Sequence, residues 1–345
     1  MTLSLALEAR DLAQLPSRRD EDWRWTDLRG LIRELPAPSP EAEASPAGPF
    51  EGHGDSELLV VNGRLQGDVG LLILGDGQRR VLRLRLVSAS PGTAHAVRLS
   101  IQLGSGAELT LLETHEGQAE GYLADSHLSV SLSTGARLER IVLADDEAEA
   151  ISVSTAEVRL EAGAEFCQTI LTHGARRQRL ETRVEHPGQA AKVRMDGAYL
   201  VSGRRHADLT TAVTHGGTDG VTGQLIKGVV ADQGRGVFQG RITVSPGADR
   251  TDARMGHHAL LLSDRAEVNA KPELLIFADD VACAHGATVG ALDEDALFYA
   301  QQRGMPEAVA KALLTEAFIG EVIDRIEHDG AREIAHAWAA DRQVG

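Results

Sequence analysis

The sequence predicts a mainly β protein: a parallel β-helix behind a short N-terminal helical segment, followed by a C-terminal helical domain. Three observations carry that expectation. From about Leu58 apolar and polar residues alternate, and a Leu-x-x-Gly-Ala-x-apolar pattern recurs at near-constant spacing. The 345 residues also include 36 Gly but only 3% aromatic side chains. Strand periodicity combined with a repeat of this length signals small stacked layers rather than one thick core.

Residues 3–15 read as a short amphipathic helix, with Leu3, Leu7, Leu12 and Leu15 able to share a face. A second helical patch follows Pro16, with Trp23, Leu28, Leu31 and Ile32 apolar, so residues 1–35 form the N-terminal helical segment. Pro36 to Pro49 mixes Pro, Ala, Ser and Glu without period and reads as a linker, taken as residues 36–57.

The β-helix core is expected over residues 58–290. Leu82, Leu84 and Leu86 alternate with Arg83 and Arg85, and Leu128, Val130 and Leu132 with Ser129 and Ser131, as in half-buried strands. Leu103–Leu109, Leu132–Leu138 and Leu160–Phe166 share the repeat, about 28 residues apart, with weaker echoes at Val184, Val213, Val244 and Leu262. Each unit reads as two strands ending at tight corners. Gly supplies the positive φ of a sharp corner, and Ala keeps it thin enough for the next layer to stack. One unit cannot bury its apolar face alone, whereas stacked units can. A β-sandwich is the alternative, but it has no reason to space its Gly corners evenly.

Beyond Gly290 the period becomes helical, giving a helical domain at 291–345. Asp293 is placed to cap a helix through Phe298 and Tyr299. Gly304 stops it and Pro306 opens the next. Val309, Leu313, Phe318, Val322, Ile323 and Ile326 continue an apolar stripe, and Ala331–Ala340 forms another short helix. Such helices can cap the β-helix or dock another protein by helix-in-groove contacts, and the two roles are compatible.

A net charge of −16 argues against nucleic acid as a main partner. None of Lys192, Lys227, Lys271 and Lys311 follows a Gly, so the chain has no phosphate-binding Gly-Lys loop of its own. The N-terminus lacks the apolar core of a signal peptide, and no apolar run is long enough to span a membrane. Two distant cysteines imply no disulfide framework, which fits a reducing compartment; the cytoplasm is the expected location. No nucleophile elbow, dinucleotide loop or Cys-x-x-Cys is found, and no catalytic residue is assigned.

Cys283 and His285 form a Cys-x-His on the last expected strand, where positions i and i+2 share a face. A thiolate and an imidazole there suit a soft metal, but two ligands are too few for zinc or iron sites built on Cys. They are either a buried Cys beside a hydrogen-bonded His or one half of a site completed by a partner at the terminal strand edge. Cys167, inside a repeat, reads as core packing. His257 and His258 point to opposite faces of a strand, and Asp279-Asp280 reads as a turn.

Two segments carry a family likeness. Arg19-Asp20-Glu21-Asp22-Trp23-Arg24-Trp25-Thr26-Asp27-Leu28 resembles the Arg-x-x-Glu-x-Trp-Lys-Tyr-Thr-x-Leu signature near the start of SufD proteins, with Arg24 and Trp25 in place of Lys-Tyr. Arg250 to Phe318 resembles the SufB/SufD core signature through Lys271-Pro272-Glu273-Leu274, Asp279 to Gly290, Leu297-Phe298-Tyr299, Arg303-Gly304 and Ala317-Phe318. SufB carries Glu-His-Glu-Ala where this chain has Cys283-Ala284-His285-Gly286, so the likeness is to the SufD side of the SufB/SufD family.

The resemblance implies a right-handed parallel β-helix and a non-enzymatic scaffold subunit of the SufB–SufC–SufD complex for iron–sulfur cluster assembly. It implies a heterodimer with SufB through the terminal strands, where a transient cluster is shared with Cys283 and His285. It implies that the SufC ATPase docks on the C-terminal helices, around Phe298, Tyr299, Arg303, Val309, Leu313 and Phe318. Whether flavin associates, and whether the isolated chain homodimerises, stays open. A carbohydrate-active β-helix enzyme and a structural β-solenoid are the alternatives; few aromatic platforms for sugars speak against the first.

Overall fold

The alternation that begins near Leu58 is realised as two long sheets wound into a parallel β-solenoid of about eight turns. The computed structural model describes residues 2–45, 47–66 and 71–342. One sheet contains β1 (Ser56–Val61), β2 (Arg64–Leu65), β4 (Arg79–Ser88), β6 (Glu108–Gly117), β8 (Arg137–Asp145), β10 (Glu165–Thr172), β12 (Lys192–Val201), β14 (Val221–Val230), β16 (Thr251–Leu261) and β18 (Val281–Gly290). The other stacks β3 (Leu71–Leu74), β5 (Ala94–Leu103), β7 (Leu123–Leu132), β9 (Ile151–Leu160), β11 (Arg177–His186), β13 (His206–His215), β15 (Arg235–Val244) and β17 (Glu267–Ile276). Neighbours pair in parallel in chain order, except that β2 folds back antiparallel on β1.

The repeat builds the corners that lead from the second sheet to the first. Gly106, Gly135 and Gly163 sit at φ of 65°, 66° and 65°. Each donates its amide to the next turn, to Thr134, Ala162 and Gln189 carbonyls at 3.0, 2.9 and 2.8 Å. The following Ala107, Ala136 and Ala164 are fully buried, as a thin corner requires. Three of the weaker echoes lie on the same edge, where Ala190, Asp219 and Gly247 take the positive φ. The Leu262 echo falls on the opposite edge, between β16 and β17.

In the first sheet, β6, β8, β10, β12 and β14 are apolar on both faces over part of their length because helices cover the outer one. The chain continues as α2 (Glu294–Gln302), α3 (Glu307–Ile323) and α4 (Asp329–Asp341). Ile319, Val322, Ile323, Ile326, Ala335 and Trp338 pack on Leu112, Ile141, Leu143, Leu171, Leu200 and Val229. Helices α3 and α4 therefore lie along the flank of the solenoid. They do not close its end.

The N-terminal segment is less helical than its pattern predicts. The first helix, α1, spans Leu3–Ala9 and stops where Arg10 turns left-handed at φ 53°; its guanidinium bonds the Leu35 carbonyl at 2.8 Å. After Pro16 the chain makes turns and one 3-10 turn, Glu21–Trp23, with both Leu28 and Arg29 amides on the Pro16 carbonyl. Leu3, Leu15, Leu28 and Ile32 nevertheless bury together against Ala94, Leu123, Ile151 and Val153. The burial follows the sequence, but packing across the sheet rather than helix period sets the backbone. The described residues between Pro36 and Pro49 form no helix or strand, yet Ser39 is buried and its amide bonds the Ala94 carbonyl at 2.8 Å.

Close packing near the end of the core gives a stability prediction. The Tyr199 ring is fully buried between Gly228 and Gly236, where an added Cβ would lie 2.0 and 2.3 Å from ring atoms. Its hydroxyl bonds His257 Nε2 at 2.8 Å, so the ring cannot swing clear. Gly228→Ala is expected to destabilise the protein by about 1–3 kcal/mol through overpacking. Chemical denaturation checks this; the cost should shrink in a Tyr199→Ala background, and an equal cost there would point elsewhere.

Candidate functional site

β18 ends the first sheet, and its register fixes what it presents. Cys283 lies opposite Ala253 and His285 opposite Met255. Ala253 and Met255 belong to the interior core, so Cys283 and His285 continue the inward column of the stack. Cys283 is half-buried and packs against that core; His285 is exposed because no further turn covers it. On the facing wall, Ala270, Pro272 and Leu274 of β17 continue the columns of Phe238, Gly240 and Ile242. The last turn is thus an open slot with a thiol and an imidazole on one side and apolar residues on the other.

The rim of the slot is apolar too. Leu275, Ile276 and Val289 are exposed, and Phe277 is 61% exposed. Both β17 and β18 are terminal strands with one unpaired edge. Exposed parallel edges of this length invite pairing with another chain.

Burial pushes the Cys283 thiol up, a push that Asp252 reinforces and a hydrogen bond from the Ala253 amide opposes. The group therefore stays a thiol at neutral pH. Among the described residues no cluster of three or more His, Cys, Asp or Glu is arranged to hold an ion. Cys283 and His285 offer two donor atoms, fewer than a closed metal site built on Cys requires.

The second candidate surface is the α2–α3 hairpin. Asp293 caps α2 as its position predicts, accepting from Asp295 and Ala296 amides at 2.9 and 3.1 Å. Phe298 is 62% and Tyr299 57% exposed, and the Arg303 guanidinium stacks 4.5 Å from the Tyr299 ring. Val309 and Leu313, one turn apart on α3, are exposed. Phe318 is placed differently: it packs toward the solenoid with the Lys227 ammonium 4.3 Å from its ring.

The remaining candidates separate clearly. His257 points inward, stacked on Phe238 at 5.1 Å, and His258 points outward to Thr288 at 2.8 Å. Asp279 and Asp280 form the bend between β17 and β18. Cys167 is not core packing: Phe166 and Gln168 take the inward positions, and Cys167 lies on the outer face, opposite Glu139 and Arg194. The apolar rim was missed as a surface, although the unbroken run Leu274-Leu275-Ile276-Phe277 signals it after so many alternating strands.

Residues 86–318 match the family model described as SUF system FeS cluster assembly, SufBD core domain. The chain is similar to the iron–sulfur cluster assembly protein SufD of Escherichia coli K12, 27% identical over 96% of this chain and 90% of that protein. It is similar to the chloroplastic protein ABCI7 of Arabidopsis thaliana, 29% identical over 83% of this chain and 63% of that one. A SufBD family protein of Mycobacterium tuberculosis H37Rv is 25% identical over 94% of this chain and 88% of its own length.

Proposed function

Because the chain belongs to the SufBD family of iron–sulfur cluster assembly proteins, we propose that it is a non-catalytic scaffold subunit that pairs with SufB through the open end of its solenoid. The observation that carries this reading is that end: two unpaired parallel edges, an apolar rim, and Cys283 beside His285 with no third ligand among the described residues. A SufB chain that extends the stack brings the missing ligands, and the nascent cluster is cargo held at the junction. His285 and the deprotonated Cys283 hold it on this side, while Ala270, Pro272 and Leu274 keep water from the opposite wall. When SufB is absent, the same edge accepts a second copy of this chain.

The exposed α2–α3 face, with Phe298, Tyr299, Val309 and Leu313, suits docking of the SufC ATPase. No helix among the described residues is long and apolar enough to cross a membrane, which agrees with the proposed cytoplasmic setting.

Anaerobic co-purification with SufB and SufC tests the assignment. The pair Phe277→Asp and Val289→Asp is expected to lose SufB and keep SufC, and the pair Phe298→Ala and Tyr299→Ala the reverse. Within an intact complex, His285→Ala is expected to lower cluster yield several-fold while the melting temperature stays unchanged. Normal yield from that complex would rule out the proposed ligand pair.

A further inference from the structure

The edge where the first sheet leads into the second carries a run of arginines that no part of the proposed assembly role uses. Arg176 and Arg177 sit where β10 passes to β11, and Arg204 and Arg205 where β12 passes to β13. Arg235 opens β15, and Arg265 lies between β16 and β17. Successive turns stack about 4.8 Å apart, so four consecutive turns set these cations along one edge over roughly 14 Å. All six line a single recess of about 710 Å³, in which Glu149 is the one carboxylate. A neighbouring recess of about 240 Å³ shares Arg177, His206 and Arg235 and adds Arg18, Arg24 and Trp25 together with the carboxylates of Asp27 and Glu267.

Carboxylates among the described residues counter only part of this cluster. Arg235 pairs with Glu267 at 3.3 Å. Arg205 donates to the Asp146 and Gly174 carbonyls at 3.0 and 2.6 Å, and faces Glu147, Asp145 and Asp146. Asp27 and Asp208 lie near Arg177, whose Nε is nonetheless buried without an acceptor. Arg176, Arg204 and Arg265 make no ion pair among the described residues. Burial, then Arg235, then (past the offset from Asp27) Arg176 weaken the hold of Arg177 on its proton. A chain of net charge −16 has thus concentrated mutually repelling cations in one concavity.

We propose that this recess binds a small molecule carrying two or more linked phosphates. Guanidinium forks match phosphate oxygens in pairs, and a ladder of them suits a row of phosphates better than a single one. The recess is concave and of small-molecule size, unlike the open basic stripe that serves a nucleic acid. The linked phosphates belong either to an inorganic oligophosphate or to a nucleotide, whose base would stack on Trp25 in the adjoining recess.

Calorimetric titration of the full chain with inorganic tripolyphosphate, orthophosphate and divalent-free adenosine triphosphate tests this. Tripolyphosphate is expected to bind one per chain, at least about tenfold more tightly than orthophosphate. Arg204→Glu and Arg265→Glu, at exposed positions without ion pairs, should keep the melting temperature and each weaken binding by about tenfold or more. Arg159→Glu, elsewhere on the surface, should leave binding unchanged. Tighter binding of the nucleotide, with the gain lost in Trp25→Ala, identifies a nucleotide; equal binding identifies the inorganic ligand. The proposal is overturned by absence of saturable tripolyphosphate binding below millimolar concentration. Equal weakening in Arg159→Glu, or tighter binding of a polyglutamate peptide, overturns it as well.

Discussion

Replacing Arg140 by alanine is expected to cost the fold about 3–5 kcal/mol, the usual penalty for stripping one partner from a buried ion pair. Arg140 points into the solenoid, where its Nε and Nη2 meet the two oxygens of Glu113 at 2.8 and 2.7 Å and its Nη1 meets Gln168 at 2.7 Å. His115 Nε2 lies 2.8 Å from the same carboxylate. Both charged groups are buried. Burial alone would raise the Glu113 pKa; the Arg140 charge and the hydrogen bonds from His115 and Arg140 outweigh it and hold the carboxyl at about 2 instead of 4.5.

The sign of the pH dependence follows. A depressed carboxyl contributes stability that is complete above about pH 4.5 and is lost as pH falls toward 2, worth on the order of 3 kcal/mol. In Arg140→Ala the burial penalty is no longer outweighed, and Glu113 binds a proton more readily when folded than when unfolded. That variant should gain stability on acidification from pH 7 to 5, where the parent gains nothing from this group. Urea titrations at the two pH values decide it. Pairing Arg140→Met with Glu113→Gln should recover much of the loss, because no charge is then left without a partner.

Arg179→Ala is expected to cost a similar amount, with the damage concentrated in the N-terminal segment. Arg179 is fully buried, 2.9 Å from Asp208 and 3.0 Å from Glu181. It also reaches across to that segment, donating to the Asp22 carbonyl at 2.7 Å and lying 4.4 Å from the Trp23 ring. Asp208 in turn accepts from Thr26 at 2.5 Å. Removing the guanidinium leaves Asp208 buried without its cation, whereas Glu181 keeps Arg183 at 2.7 Å, and it loosens residues 16–32 from the sheet. Hydrogen exchange should show their amides opening at lower free energy than those of β11 to β15. Unchanged protection would mean that Leu28 and Ile32, with the ion pairs of Asp22 to Arg241 and Glu21 to Lys271, suffice to hold the segment.

The solenoid was legible because its determinants are local and repeated. Leu-x-x-Gly-Ala states a corner, and three copies at even spacing state a stack. The terminal slot was legible for the same reason: strand period alone places Cys283 and His285 on one face, and the repeat has ended by then. What stayed hidden depends on contacts between distant segments. Ile141-Val142-Leu143 carries no face information, because α3 and α4 cover the outside of β8 while its own interior buries the other face. The same masking concealed Arg140, whose inward position looks like a solvent-facing residue in a strand. Residues 16–32 have apolar spacing that suits a helix, yet Arg179 and the Pro16 carbonyl claim the groups that a helix would use. The arginine ladder has a period of one turn, but each member sits at a corner of a different kind and only stacking makes them neighbours.

The position of α3 and α4 also determines how the protein carries mechanical load. Lys227 pairs with Glu321, Arg325 reaches Asp196 at 2.9 Å, and Arg342 reaches Asp145 at 3.0 Å. These fastenings tie the two helices to β14, β12 and β8, several layers apart, in the manner of a splint. A tug on the α2–α3 hairpin is therefore spread over the middle of the stack as shear between layers. The terminal slot lies outside the splinted span, yet β18 runs into α2 through residues 291–293 alone, so the same tug also pulls directly on the last strand of the slot.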